Sequence, residues 1–199
     1  MNTKKMNVKP GMLYDANYDP ELVAERIAAK ELCFELNNLR PSLTMKREEI
    51  MRRLLGKAGM NCQIEPPFYC DYGYNIEFGD NVFINHECVI LDGAKVILGN
   101  NVFVAPQCGF YTAGHPLDHE RRNEGLEYAL PITVGDNVWI GGQVCILPGV
   151  TIGSGSVIGA GSVVNKDIPA GVLAAGNPCR VIRKITDADR KRYQTTVKL

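Results

Sequence analysis

The chain has 199 residues, 45% of them hydrophobic and 22% charged, a balance ordinary for a globular domain and foreign to a disordered or highly charged tail. Twenty-two basic residues offset twenty-two acidic ones, so the global basic excess that nucleic-acid binding requires is missing and no nucleic-acid partner is expected. No apolar run approaches the roughly 18 residues of a membrane span, and the opening MNTKKMNVKPG lacks the apolar core of a signal peptide, so the expectation is a cytoplasmic protein with no membrane partner.

Taken in chain order, residues 1–60 form an N-terminal segment that reads as helical over 20–58. Ala28, Leu32, Leu36 and Leu39 fall on one apolar stripe, and Ile50, Met51, Leu54, Leu55 and Ala58 on a second, with Pro41 and Ser42 between them. Glu48–Arg52 and Glu49–Arg53 are i,i+4 pairs on the wet face, and Gly59 suits a helix stop.

From residue 61 to 185 a different period takes over. An aliphatic residue recurs every six positions at Val134, Ile140, Ile146, Ile152, Ile158 and Val164. A small or branched residue follows each after four more: Val138, Val144, Val150, Ser156, Ser162 and Ile168. At 3.6 residues per turn a helix would scatter these side chains around its circumference. A triangular coil keeps them inside, each hexad giving one short strand and one corner, three hexads closing a rung. Phe78, Ile84, Ile90, Leu98, Val104 and Phe110 lead earlier hexads, with two extra residues bulging within Asp92–Val96. About five rungs over residues 66–169 predict a prism about 24 Å long at about 4.8 Å per strand. The seven cysteines, Cys33, Cys62, Cys70, Cys88, Cys108, Cys145 and Cys179, include no C-x-x-C and read as reduced thiols packed as small core residues. Cys70, Cys88 and Cys108 are expected at the second inward position, one rung apart.

The hexad rhythm breaks after Tyr111 and resumes near Ile132, so residues 112–131 leave the prism as a loop without regular structure. It carries His115 and His119, two of the three histidines, and histidine titrates close enough to neutrality to act as a general base. Residues 186–199 form a C-terminal tail in which Thr186-Asp-Ala-Asp189 has the form of a capping box ahead of a short basic helix. The helices at both termini are expected to cover the ends of the coil, where unpaired strand edges invite aggregation.

Together with the hexads, the stretches IEPPFYCDYGYNI (64–76), TAGHP (112–116), PITVGDNVWIGG (131–142), PGVTIG (148–153), VIGAGSVV (157–164) and AAGNPCRVIRKI (174–185) give the chain a marked resemblance to the galactoside/maltose O-acetyltransferases. The resemblance runs from Met12 to Ile185. It implies a mainly β fold, a left-handed parallel β-helix with an N-terminal helical segment and a short C-terminal helix. It further implies a homotrimer with inter-subunit sites and transfer of acetyl from acetyl-CoA to a hydroxyl of a galactoside-, maltose- or glucose-like sugar. By the same resemblance His115 matches the base that takes the acceptor proton, Asn85 a side chain at the catalytic centre, and the Gly142 N–H an oxyanion donor. Trp139, Gly142, Ala160, Asn165, Lys166, Arg180 and Arg183 match positions along the coenzyme A groove. Asp71, Asn85, Phe83 and Glu127 match acceptor-facing positions. The acceptor aspartate of the first helical region corresponds to Asp15, Asn17 or Asp19, and of these the resemblance places Asn17 among the acceptor contacts.

The physical chemistry is compatible with those roles. A neutral imidazole within reach of a hydroxyl is worth about 10²–10⁴-fold in rate, a fixed N–H stabilises a developing oxyanion, and Lys166, Arg180 and Arg183 suit phosphate groups. Two rivals remain at this stage. The histidines His86, His115 and His119 would suit a metalloenzyme resembling γ-class carbonic anhydrases only if all three converged, and no metal is expected. A non-catalytic β-helix scaffold is the other.

Overall fold

A side chain that must point inward once every six residues makes the backbone turn after each short strand, and turns of equal length stack those strands in parallel. The computed structural model, which describes residues 9–191, has this coil. Its first face stacks Ile76–Phe78, Val96–Leu98, Ile132–Val134 and Thr151–Ile152. The second stacks Gln63–Ile64, Phe83–Ile84, Phe103–Val104, Trp139–Ile140, Val157–Ile158 and Val172–Ala175, with Arg180–Lys184 added antiparallel at the end. The third stacks Phe68–Cys70, Cys88–Leu91, Gly109–Tyr111, Cys145–Ile146 and Val163–Val164. The second face holds six parallel strands, one more turn than expected, because the coil begins before residue 66 and continues past 169. The leading residues of the hexads, from Phe78 to Val164, are 0–1% exposed and fill the prism, each buried aliphatic contributing about 1.5–3 kcal/mol.

The N-terminal segment folds as helices α1 (Pro20–Asn38) and α2 (Thr44–Leu54), whose buried residues, Leu22 excepted, join the same core cluster as the first turn of the coil. Their faces differ in detail from the expected ones. The buried stripe of α1 is Leu22, Ala29, Cys33 and Leu36, with Ala28 exposed. Cys33 supplies an apolar position that a stripe of aliphatics alone misses. Glu48 pairs with Arg52 as expected, but Arg53 reaches Glu35 of α1 at 3.7 Å instead of Glu49. The helix stops at Leu54, and Gly59 serves stacking: a Cβ there would lie 2.4 Å from the Gly79 carbonyl of the next turn. Cys70 is also displaced from its expected column. A turn that includes the two-residue bulge is 20 residues long, so Phe68 stands in register with Cys88, and Cys70 with Ile90.

The three corners of the prism are built differently. Between the first and second faces, Asn61, Asn81, Asn101 and Asn137 each adopt φ of 55–58°, and their side-chain amides form a ladder at 3.0–3.1 Å. A left-handed backbone costs a non-glycine residue about 1 kcal/mol or more, which the ladder offsets. Between the second and third faces, Gln143 donates to Gln107 at 2.9 Å and Gln107 to Glu87 at 2.5 Å, again with positive φ. The third corner, from third face to first, carries two extra residues in each of the first two turns, since eight positions separate Cys70 from Phe78 and Ile90 from Leu98. There the buried Asp92 carboxylate accepts from the backbone N–H of Asp71 (3.1 Å), Tyr72 (2.8 Å) and Asn75 (3.3 Å), holding one enlarged corner above the other. The loop carries the short helix α3 (His119–Asn123), and at the far end of the chain lies α4 (Asp187–Arg190), where the Asp189 carboxylate accepts the Thr186 N–H at 2.9 Å. Residues 1–8 of the N-terminal segment and 192–199 of the tail lie outside the described residues.

Candidate functional site

The excursion at the third turn leaves from this third corner and, contrary to expectation, has regular structure. Ala113–Gly114 pairs antiparallel with Leu126–Ala129, which pairs in turn with Tyr14–Asp15 from the N-terminal segment. Between them α3 (His119–Asn123) is capped by Asp118, whose carboxylate accepts the Arg121 N–H at 3.0 Å. This small sheet fixes His115. Its Nδ1 lies 3.2 Å from the Leu126 carbonyl, which can only accept, so the proton resides on Nδ1 and the lone pair on Nε2. Nε2 lies 3.7 Å from the Glu127 carboxylate.

Glu127 also lines a cavity of about 120 Å³ together with Tyr14, Asn17, Arg26, Asp71 and Tyr72. Burial pushes the carboxyls of Asp71 and Glu127 above their ordinary values, opposed at Asp71 by Arg26 and Lys30 and at Glu127 by His115. Burial likewise pushes Tyr72 up to about 12, against the Arg26 guanidinium that donates to its hydroxyl at 2.8 Å, and raises Tyr14. Of the three N-terminal candidates, Asn17 faces the cavity, tied by its amide to the Gly125 carbonyl at 2.8 Å. Asp19 caps α1, accepting from Glu21 and Leu22, and Asp15 accepts the Tyr18 N–H. Tyr14, Arg26 and Tyr72 were not singled out from sequence. Tyr72 meets Arg26 across a separation of 46 residues, and only the predicted excursion hinted that something must close over it.

The remaining candidates lie elsewhere on the prism. Phe83, Phe103 and Trp139 are in register on the outside of the second face, Phe103 and Trp139 being 51% and 55% exposed. Asn85 and Gly142 belong to the corner between second and third faces, two turns apart, and Ala160 lies one turn further on. A Cβ on Gly142 would meet nothing nearer than the Pro106 carbonyl at 3.4 Å, so neither its own chain's packing nor positive φ demands glycine there. Asn165 and Lys166 are exposed on the third corner, whereas Arg180 and Arg183 sit on the terminal antiparallel strand of the second face. Arg183 forms a bidentate pair with Asp189 at 2.6 and 2.8 Å. The candidates therefore fall into two groups within one chain. His115, Glu127, Asn17, Asp71, Asn165 and Lys166 share the third corner. Phe83, Asn85, Trp139, Gly142, Ala160, Arg180 and Arg183 share the second face and its edge toward the third. His86, with Nδ1 2.5 Å from the Pro66 carbonyl, belongs with Asn85 and is separated from His115 and His119 by a prism face.

Residues 10–59 match the maltose acetyltransferase hexapeptide capping motif, and residues 131–166 the bacterial transferase hexapeptide of six repeats. A Saccharomyces cerevisiae relative named as an acetyltransferase is 62% identical over 183 residues, which is 92% of this chain and 93% of that protein. A galactoside acetyltransferase solved in complex with coenzyme A superimposes with a TM-score of 0.89 at 46% identity, covering 95% of this chain and 94% of that one. A maltose O-acetyltransferase from Clostridium difficile superimposes with a TM-score of 0.87 at 51% identity, covering 89% and 94%.

Proposed function

The chain belongs to the galactoside/maltose O-acetyltransferase family of hexapeptide-repeat proteins, and from that premise we propose that it transfers acetyl from acetyl-CoA to a sugar hydroxyl with His115 as general base. The observation that carries this reading is the orientation of His115: Nδ1 is committed to the Leu126 carbonyl, so Nε2 is left to accept a proton beside the polar cavity of Asn17, Asp71 and Glu127. The acceptor hydroxyl gives its proton to Nε2 as its oxygen attacks the thioester carbonyl. The carbon–sulfur bond then breaks, and the imidazolium returns the proton to the departing thiolate. Glu127 stabilises the imidazolium in the interval. The oxyanion receives the Gly142 N–H, at a position where the lack of a side chain leaves a ligand room to approach. Trp139 and Ala160 flank the pantetheine arm, and Asn165, Lys166, Arg180 and Arg183 receive the polar and phosphate groups of the coenzyme.

That assignment needs His115 and Gly142 in one site, and in a single chain they occupy different corners. A cavity of about 120 Å³ is also well below the roughly 300 Å³ at which small-molecule sites begin. Both facts support a homotrimer in which the third corner of one protomer meets the aromatic second face of the next, completing the site and covering Phe103 and Trp139. The experiment that tests it is complementation. His115→Ala and Asn85→Ala are each expected to be nearly inactive, whereas mixed trimers prepared by joint refolding should recover activity, because some interfaces then pair an intact His115 with an intact Asn85. No recovery in mixtures shown by mass spectrometry to contain both chains would overturn the shared site.

A further inference from the structure

Helix α1 packs along the third face, and Asn37 locks the two together: its amide donates to the Phe68 carbonyl at 3.0 Å and its oxygen accepts the Phe68 N–H at 2.9 Å. One helical turn before Asn37 and two strand residues after Phe68, on the same faces of their elements, stand Cys33 and Cys70. The clamp sets their sulfurs 3.7 Å apart. The two thiols line an open groove of about 460 Å³ with Lys30, Phe34, Tyr69 and Asp71. Each is largely buried, 2% and 5% exposed, so neither is an ordinary surface thiol, yet the groove gives a small oxidant a way in. The molecule contains its own comparison. Cys88 and Cys108 also interact with one another, but they lie inside the prism at 0% and 1% exposure, pointing to the Ala105 and Gly141 carbonyls at 3.4 and 3.1 Å.

We propose that Cys33 and Cys70 form an oxidant-sensitive dithiol, a modification site at which a peroxide closes a disulfide between α1 and the third face beside the acceptor cavity. Either thiol can donate to the other across this contact; with Cys70 donating, the Cys33 thiol is lowered and Cys70 raised, and Cys33 is then the attacking sulfur. The Cys33 thiolate attacks one peroxide oxygen, the O–O bond breaks, and the other oxygen leaves as water after taking a proton. The resulting Cys33 sulfenic acid is attacked by the Cys70 sulfur, the S–O bond breaks, and the hydroxyl leaves as a second water with the Cys70 proton. Two thiols are oxidised by two electrons to one disulfide, and one hydrogen peroxide is reduced to two waters.

Closure needs the sulfurs to approach from 3.7 Å to about 2.05 Å. That draws α1, which carries Arg26 and Lys30, against the strand that ends next to Asp71. A consequence for acceptor binding therefore follows, resting on the proposed role of Asp71, whereas formation of the disulfide does not depend on that role.

The test treats the intact protein with graded hydrogen peroxide, blocks remaining thiols and maps peptides without reduction. A Cys33–Cys70 cross-linked peptide should accumulate first, disappear on addition of dithiothreitol, and be absent from Cys33→Ser and Cys70→Ser, while Cys88 and Cys108 remain thiols until the protein is unfolded. Cys33 and Cys70 both surviving as thiols at doses that oxidise the half-exposed Cys62 would overturn the proposal, as would a Cys88–Cys108 link forming at an equal rate. The wild-type map needs no variant, so a serine variant that fails to fold does not weaken the result. In parallel, oxidation should raise KM for maltose or methyl galactoside several-fold and leave KM for acetyl-CoA unchanged. A disulfide that forms without that change refutes the role of Asp71 and leaves the dithiol standing.

Discussion

Asp92 offers a direct way to weigh the corner beneath the candidate site. It is 0% exposed, and Oδ1 accepts the N–H groups of both Asp71 and Tyr72, with Oδ2 near that of Asn75. Asp92→Ala strands the buried Tyr72 donor, the part-buried Asp71 donor and a weaker third, which at about 1–3 kcal/mol for each unsatisfied group amounts to about 3–5 kcal/mol. Asp92→Asn retains an oxygen for the two shorter bonds and turns an amide toward the third, for a cost of about 1 kcal/mol. Burial pushes the Asp92 acid up to about 6, opposed by the Tyr72 N–H and aided by the Asp71 charge. The folded state thus holds a proton that the unfolded chain releases near pH 4. This contribution to stability is complete below about pH 4 and is lost as pH rises through about 6. About two units at 1.36 kcal/mol each make the loss about 3 kcal/mol. An asparagine does not titrate, so between pH 4 and 7.5 the balance should shift by about that amount toward Asp92→Asn, from about 1 kcal/mol favouring wild type at pH 4 to about 2 kcal/mol favouring the variant at pH 7.5. Urea unfolding followed by circular dichroism at one fixed protomer concentration measures it. A difference that does not move with pH, or that moves toward wild type as pH rises, would refute the reasoning.

Two further expectations concern activity. His115→Ala should lower turnover about 10²–10⁴-fold under saturating acetyl-CoA with the fold intact, since the residue lies outside the prism core, whereas His119→Ala, at the exposed start of α3, should cost far less; equal losses would remove His115 from the role of base. Arg183→Ala should raise KM for acetyl-CoA more than it lowers turnover, and the effect should shrink as salt is added; a salt-independent loss of turnover alone would mean that Arg183 serves only to hold Asp189.

The coil was readable because its signal is local and repeated: each hexad from Val134 to Val164 states the same requirement, and all its leading residues are buried. His115 was readable because the rhythm breaks around it. What escaped has physical reasons. Arg26, Tyr14 and Tyr72 reach the cavity from separate elements, and no local period records such a convergence. The stripe of α1 was misframed because Cys33 acts there as an apolar residue. Gly59 answers to Gly79, twenty residues away, and not to the helix before it. The choice among Asp15, Asn17 and Asp19 had an available clue: an aspartate directly before Pro20 is the usual start of a helix, which commits Asp19 to capping and leaves Asn17 for the cavity.

The amide ladders have a consequence for how such a chain can change. A residue inserted at either laddered corner would shift one asparagine or glutamine out of line with its neighbours above and below, leaving a left-handed residue without its compensating bond. The third corner has no ladder among the described residues, and it holds eight-residue spacings in two turns and a folded excursion of about twenty residues in the next. Two edges of the prism thus act as a ruler, while the remaining edge tolerates added length. New recognition surfaces can be grown along that edge without recutting the rest, and an engineer seeking a different acceptor would lengthen or exchange the chain there, leaving the ruled edges untouched.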